Sequence, residues 1–374
     1  MDNTNHTIFF QSSENISFLP DKSVQLVLTS PPYPMIEMWD TVFAAQNSDV
    51  GAALDKGEGQ HAFHIMHTFL DTVWKECYRV LEPGCFACIN IGDATRTING
   101  NFKLYSNHAR IISACEHLGF QALPLIIWRK QTNAPNKFMG SGMLPPGAYV
   151  TLEHEYILIL RKGGKRRFSE PDKERRRESA FFWEERNTWF SDVWDFKGVR
   201  QRIANNDDIR KRSAAYPFEL AYRIINMYSL KQDTVLDPFL GTGTTAAAAI
   251  ASERNSCGIE IDEGFLPEIT DVLKKSIPEY NNRIQTRINN HMEFIENYQT
   301  PKKNGKSDKE MKHYNNFHNF PVMTSHEKNL RLQKVAEVQQ AENNTARKEP
   351  LPQPSAAASN TAKAEFTATY VPIE

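Results

Sequence analysis

Two groups of residues in the 374-residue chain have types and spacings suited to chemistry. The first is Thr29-Ser30-Pro31-Pro32-Tyr33. Consecutive prolines stiffen the backbone and remove its donors, so the carbonyls and the Ser30 hydroxyl become fixed acceptors. Tyr33 adds a flat face. Acceptors beside a stacking ring suit a planar base with an exocyclic amine, drawn out of its stack. A proline turn with a buried tyrosine is the structural alternative for such a motif standing alone. The second group is Val235-Leu236-Asp237-Pro238-Phe239-Leu240-Gly241-Thr242-Gly243-Thr244-Thr245, followed by Cys257-Gly258-Ile259-Glu260-Ile261-Asp262. Glycines after a strand let backbone approach a ligand closely, and the next helix opens with unpaired N–H groups. Glu260, ending the following strand, is placed to accept from ribose hydroxyls. Together these residues describe a nucleoside pocket. Gly241-x-Gly243-x-x-Ala246 also satisfies a looser dinucleotide fingerprint, so an NAD-type site competes, as does a glycine loop that only turns the chain.

The elements that must position these groups alternate. Val24 to Thr29 is a short apolar run stopped by proline, which reads as a buried strand. His61 to Leu81 has apolar residues at helical spacing and stops at Pro83-Gly84. Cys85 to Ile91 reads as a strand, Tyr105 to Leu118 as a helix, and Leu123 to Trp128 and Tyr156 to Leu160 as strands. After a break the pattern resumes: helix Pro217 to Tyr228, strand Thr234 to Leu236, helix Thr244 to Arg254, strand Ser256 to Ile261. Such alternation implies an α/β fold with a parallel sheet covered on both faces.

In the break, Arg161 to Arg177 carries nine basic residues against three acidic, and aromatics follow from Phe181 to Phe196. This stretch, to Arg212, reads as an inserted, separately folded segment. Beyond about Thr300 the chain turns polar, and Ala341 to Thr369 has too little apolar content to order itself. Cutting near Ala341 is therefore expected to leave activity intact.

Charge adds little, because 44 basic residues nearly cancel 45 acidic ones. Any nucleic-acid contact must come from a local patch. The N-terminus lacks the pattern of a secretory signal, and no apolar run reaches the roughly 18 residues of a membrane span. Five cysteines fit reduced thiols better than a disulfide framework, so the expected location is the cytoplasm, with no membrane partner. His61, His64 and His67 recur every third residue, but no Glu or Cys joins them at ligand spacing, so no metal is expected and a polar or capping role is preferred. Cys85 and Cys88 read as core.

TSPPY followed much later by DPFLGTGTT resembles the amino-methyltransferases of DNA, in the permuted class where the catalytic motif precedes the cofactor motif. The resemblance covers roughly Asn5 to Asn290. It implies a Rossmann-like S-adenosylmethionine-dependent methyltransferase fold with an inserted target-recognition segment. Residues 1–160 would be the catalytic part, 161–212 the insert, 213–299 the cofactor part, and 300–374 a polar extension, partly disordered. Ser30, Pro31, Pro32 and Tyr33 would be catalytic. Asp237, Pro238, Phe239, Gly241 and Gly243 would line S-adenosylmethionine, Glu260 would bind its ribose, and Phe218 would lie near its methionine end.

The implied partner is double-stranded DNA, with a cognate restriction endonuclease expected beside it in a restriction-modification system. The basic run would face DNA, so neutralising Arg166, Arg167, Arg175 and Arg176 should weaken binding and flatten its salt dependence. An amine conjugated to a base is a poor nucleophile, and hydrogen bonds from its protons to Ser30 and the Pro31 carbonyl would free its lone pair. Ring-carbon methylation would want a Pro-Cys pair, which the chain lacks. Within the family Ser-Pro-Pro-Tyr belongs mostly to cytosine N4 enzymes, and a neutral hydroxyl accepts from cytosine without burying a charge. N4-methylcytosine is the expected product, with N6-methyladenine the alternative. A nicotinamide-dependent oxidoreductase and a non-catalytic DNA-binding module are the competing functions.

Overall fold

The structure, a computed structural model, describes residues 3–130, 139–198, 216–299, 311–341 and 362–373. Residues 199–212 of the expected insert, and 342–361 of the expected tail, lie outside the described residues.

Ten strands build the main sheet. They are β1 (Asn3–Phe10), β2 (Val24–Thr29), β3 (Leu81–Ile91), β4 (Phe120–Arg129), β5 (His154–Lys162), β6 (Val193–Asp195), β7 (Thr234–Asp237), β8 (Asn255–Glu260), β9 (Gln333–Gln340) and β10 (Lys363–Pro372). Their order is β6-β4-β5-β3-β2-β7-β8-β1-β10-β9. The middle of the sheet, β3-β2-β7-β8-β1, is parallel. The expectation of a parallel sheet holds there and where β6 pairs with β4, but β5 runs antiparallel between β3 and β4, and β10 and β9 close the other side antiparallel.

Strand β2 buries five of its six residues because both its faces are covered. Leu26 and Leu28 enter one core with the helices Phe218–Tyr228 and Thr244–Ala251. Val27 enters a second core on the opposite face, with Met66, Leu70, Val73 and Trp74 of the helix Gly59–Val80 and Ile111 of the helix Asn107–His117. The sheet with helices on both faces is the Rossmann-like architecture.

Three expectations are corrected. The stretch after Arg161 does not fold separately: Trp189 and Trp194 share a core with Leu26 and Tyr222, and β6 is an edge strand of the main sheet. The C-terminal extension is not merely a polar tail. Met311, Phe320, Val322, Leu330 and Leu332 build a third core with Phe182 and Ile284. Lys363–Pro372 forms β10, burying Ala364, Phe366, Ala368 and Tyr370 at alternate positions.

Candidate active site

Strand β2 continues to β3 on one side, while its neighbour β7 leads to β8 on the other. Strand order reverses at this pair, and ligands of open α/β sheets bind beyond the carboxyl ends of strands at such a point. Ser30 follows the last residue of β2, and Asp237 is the last residue of β7. Thr29 Oγ1 donates to Asp237 Oδ1 at 2.6 Å, tying the two motifs together although they lie far apart in the chain.

A cavity of about 390 Å³ opens there, lined by Ser30, Pro31 and Pro32 from one motif and Asp237, Pro238, Phe239, Gly241 and Glu260 from the other. Tyr33, Gly243 and Phe218 were expected in the site but are absent from its lining. Tyr33 stands behind Ser30, its ring against Gly92, where an added Cβ would come within 3.0 Å of the ring. Gly243 turns the chain into the helix Thr244–Ala251 with φ of +91°, a conformation that favours glycine. Phe218 packs among aromatic neighbours, its ring 5.7 Å from those of Tyr222 and Tyr280. Tyr216, two residues earlier, reaches the cavity instead.

Two carboxylates line the cavity where β7 and β8 end. Asp237 is buried and accepts from Thr29, the Phe239 amide at 3.0 Å, Thr245 and Tyr216. Burial raises its pKa, and the bonds from Thr245 and Thr29 oppose that rise. Glu260 Oε2 accepts the Gly241 amide at 2.9 Å, while Oε1 accepts those of Ile261 at 2.9 Å and Asp262 at 3.1 Å. Burial pushes Glu260 up as well, against these amides. With three of its roughly four lone-pair positions filled, Glu260 keeps one on Oε2 for a ligand hydroxyl.

Behind Ser30 lies a group that sequence reasoning missed. Ser30 Oγ donates to Tyr33 OH at 3.1 Å, and Tyr33 OH donates to Glu155 Oε2 at 2.9 Å. Asn90 Nδ2 donates to both of those oxygens, at 2.8 and 2.7 Å, and Lys130 pairs with Glu155 Oε1. Burial, then the Glu155 charge, push the Tyr33 phenol well above its ordinary value. The available signal was polarity out of place: Glu155 is the second residue of β5, just before its apolar run, and Asn90 interrupts the apolar end of β3.

The basic run does not gather at this site. Strand β5 pairs Tyr156 with Ile91 but Arg161 with Phe86, so the chain leaves it towards the edge where the parallel strands begin, opposite Ser30. There an added Cβ on Gly84, at the start of β3, would meet the Arg166 backbone at 2.3 Å. Arg166 grips Asp233, just before β7, through two hydrogen bonds of 2.6 and 3.0 Å. Lys162 donates to the Leu81 carbonyl at 2.8 Å and the Arg79 carbonyl at 3.4 Å, beside the C-terminal end of the helix Gly59–Val80. Arg175 pairs with Asp172 and Arg177 with Glu174. Arg166 and Lys162 thus join separate elements of the fold, while the last two pairs stay within one helix.

Of the three spaced histidines, His61 and His64 are exposed, while His67 is buried, bonded to Asn107 at 3.0 Å and edge-on to Phe63. Cys85 and Cys88 are buried in β3. Among the described residues no helix is long and apolar enough to cross a membrane.

Comparison with known proteins agrees with this geometry. A family model described as DNA methylase, of the N6/N4 methyltransferases, matches residues 24–271. The type II methyltransferase M.MthZI of Methanothermobacter thermautotrophicus is 52% identical, over 88% of this chain and 90% of that protein. M.MjaI of Methanocaldococcus jannaschii, also a type II methyltransferase, is 49% identical over 72% of this chain and 91% of its own. Among solved structures, a protein of Thermus thermophilus assigned as a DNA modification methylase, in complex with S-adenosyl-L-methionine, superposes with a TM-score of 0.53. It is 31% identical and covers 71% of this chain and 93% of its own. With two thirds of its length inside the family match and its two motifs lining one cavity, the chain belongs to the N6/N4 family of DNA methyltransferases.

Proposed function

We propose that this enzyme transfers a methyl group from S-adenosylmethionine to N4 of a flipped-out cytosine in double-stranded DNA. The observation that carries this reading is the shared cavity, with Ser30-Pro31-Pro32 at one end and the Asp237 to Glu260 group at the other. The residues fit the cofactor. Glu260 retains an acceptor position for a ribose hydroxyl, Phe239 offers an apolar face, and Asp237 fixes the loop through the Phe239 amide. When bound, S-adenosylmethionine supplies a sulfonium methyl, an electrophile for an amine.

The chain's own part is to hold and orient. Ser30 Oγ and the Pro31 carbonyl accept hydrogen bonds from the two amine N–H groups and so release the nitrogen lone pair from the ring. The cavity walls keep the reactants in line, a contribution of positioning and electrostatics. Serine as the first motif residue supports cytosine, because no carboxylate is desolvated beside the base.

The duplex approaches the edge where β2 and β7 end. The described residues 139–153, before β5, and 196–198, after β6, adjoin this edge, given the pairing of Arg129 with His154 and with Asp195. Exposed Met143, Leu144 and Val150 sit on the first of these stretches. We place target recognition there instead of on Arg161 to Arg177. The type II relatives support a restriction-modification setting, with a cognate endonuclease as partner.

Calorimetry and turnover test the reading together. Ser30→Ala should keep cofactor affinity yet lose turnover by a factor on the order of a hundred or more. Glu260→Ala should instead weaken S-adenosylmethionine binding by about 1 to 3 kcal/mol. Full turnover in the first variant, or unchanged affinity in a folded second, removes that residue from its role.

A further inference from the structure

A serine that accepts from an amine must turn its proton elsewhere. A free hydroxyl rotates to suit its surroundings and gives no such guarantee. Behind Ser30 the hydrogen bonds leave it no choice. The Tyr33 phenol has one proton and accepts twice; Ser30 Oγ and Asn90 Nδ2 donate to it at 3.1 and 2.8 Å. Its proton is directed to Glu155 Oε2, 2.9 Å away. An ionised carboxylate only accepts, so the direction of every bond in the chain is set from Glu155 outward. Without that charge Tyr33 could donate to Ser30, and the serine proton would then face the N–H groups of the target amine.

We propose that Glu155 is a positioning residue for methyl transfer, acting through Tyr33 to hold Ser30 as an acceptor toward the target amine. The inference rests on the reading of Ser30 given above. Glu155 is only 6% exposed, and a carboxylate so placed is costly unless it is paired and hydrogen-bonded. Lys130 on Oε1 and Asn90 on Oε2 meet that requirement. Glu155 does not line the cavity, so it reaches the reaction at one remove. The raised pKa of Tyr33 keeps the phenol protonated, as a donor to Glu155 must be.

The test is a double-mutant cycle with Glu155→Gln and Tyr33→Phe, reading kcat, the KM for DNA and the cofactor Kd. Phenylalanine keeps the ring and removes only the hydroxyl. Each single variant should lower kcat by about tenfold or more, with cofactor Kd unchanged. The double variant should be no slower than Tyr33→Phe within about twofold, since the carboxylate then has nothing to act through. Losses that multiply in the double variant overturn the proposal, as does Glu155→Gln with wild-type kcat or with a proportionate loss of cofactor affinity. Should Glu155→Gln not fold, Tyr33→Phe decides alone, and wild-type kcat there overturns the relay. Ser30→Ala separates the two readings: its activity would sink the role of Ser30 itself, whereas its inactivity beside fully active Glu155 and Tyr33 variants would sink only the relay.

Discussion

Arg166→Gln should behave as a stability variant and not as a DNA-binding one. In the folded protein the Arg166 side chain is 15% exposed and Asp233 only 1%. Removing one partner of a buried pair costs about 3 to 5 kcal/mol, because the other charge is left desolvated. Asp233 would still accept the Leu230 amide at 2.8 Å and keep Arg175 at 3.7 Å, which places the loss at the lower end, about 3 kcal/mol. Urea unfolding followed by tryptophan fluorescence should show the midpoint falling by about 1 M for a slope near 3 kcal/mol per molar. Adding Asp233→Asn should restore part of that loss, since the orphaned charge is gone. The salt dependence of DNA binding should not change, because this guanidinium is committed to Asp233. An unshifted midpoint, together with a log K against log salt slope shallower by about 0.9, would refute the reasoning and return Arg166 to a phosphate.

Two further outcomes follow from buried groups. Truncation after Ala341 removes β10, which pairs with both β1 and β9, so the shortened chain should lose stability and activity together; a truncated protein with the full-length melting temperature would contradict this. His6 and His67 are buried with pKa values pushed down to about 3 by desolvation, so they stay neutral in the fold while the unfolded chain takes up protons near pH 6.5. Their stabilisation is complete above that pH and drains as pH falls toward 3, by up to about 1.4 kcal/mol per pH unit for each ring. His67→Gln should reduce the pH dependence of the urea midpoint by one proton's worth, and an unchanged dependence would show that His67 titrates normally.

Strands β2 and β3 were legible because they are buried on both faces. VQLVLT reads as a central strand, and the prolines after it end the strand at the cavity. What escaped was order supplied by partners far along the chain. The β10 sequence KAEFTATYVP alternates correctly, but its preceding low-complexity stretch hides a period of two when composition is averaged. The first strand begins with polar residues because Thr4 and His6 face a buried set of hydrogen bonds with Tyr370 and Ser256, contributed by β10 and β8. The basic run looked like a nucleic-acid patch because its acidic partner Asp233 lies 67 residues beyond Arg166. Glu155 was invisible for the same reason: its partners Tyr33 and Asn90 stand 122 and 65 residues away.

The central claim, methyl transfer to an exocyclic amine of cytosine, is tested most directly by the product. Duplex DNA incubated with the purified enzyme and S-adenosylmethionine would be digested to nucleosides and analysed by mass spectrometry. The account predicts N4-methylcytosine, absent when Ser30→Ala replaces the native protein. N6-methyladenine without N4-methylcytosine would contradict the choice of base, and 5-methylcytosine would contradict the amine chemistry itself.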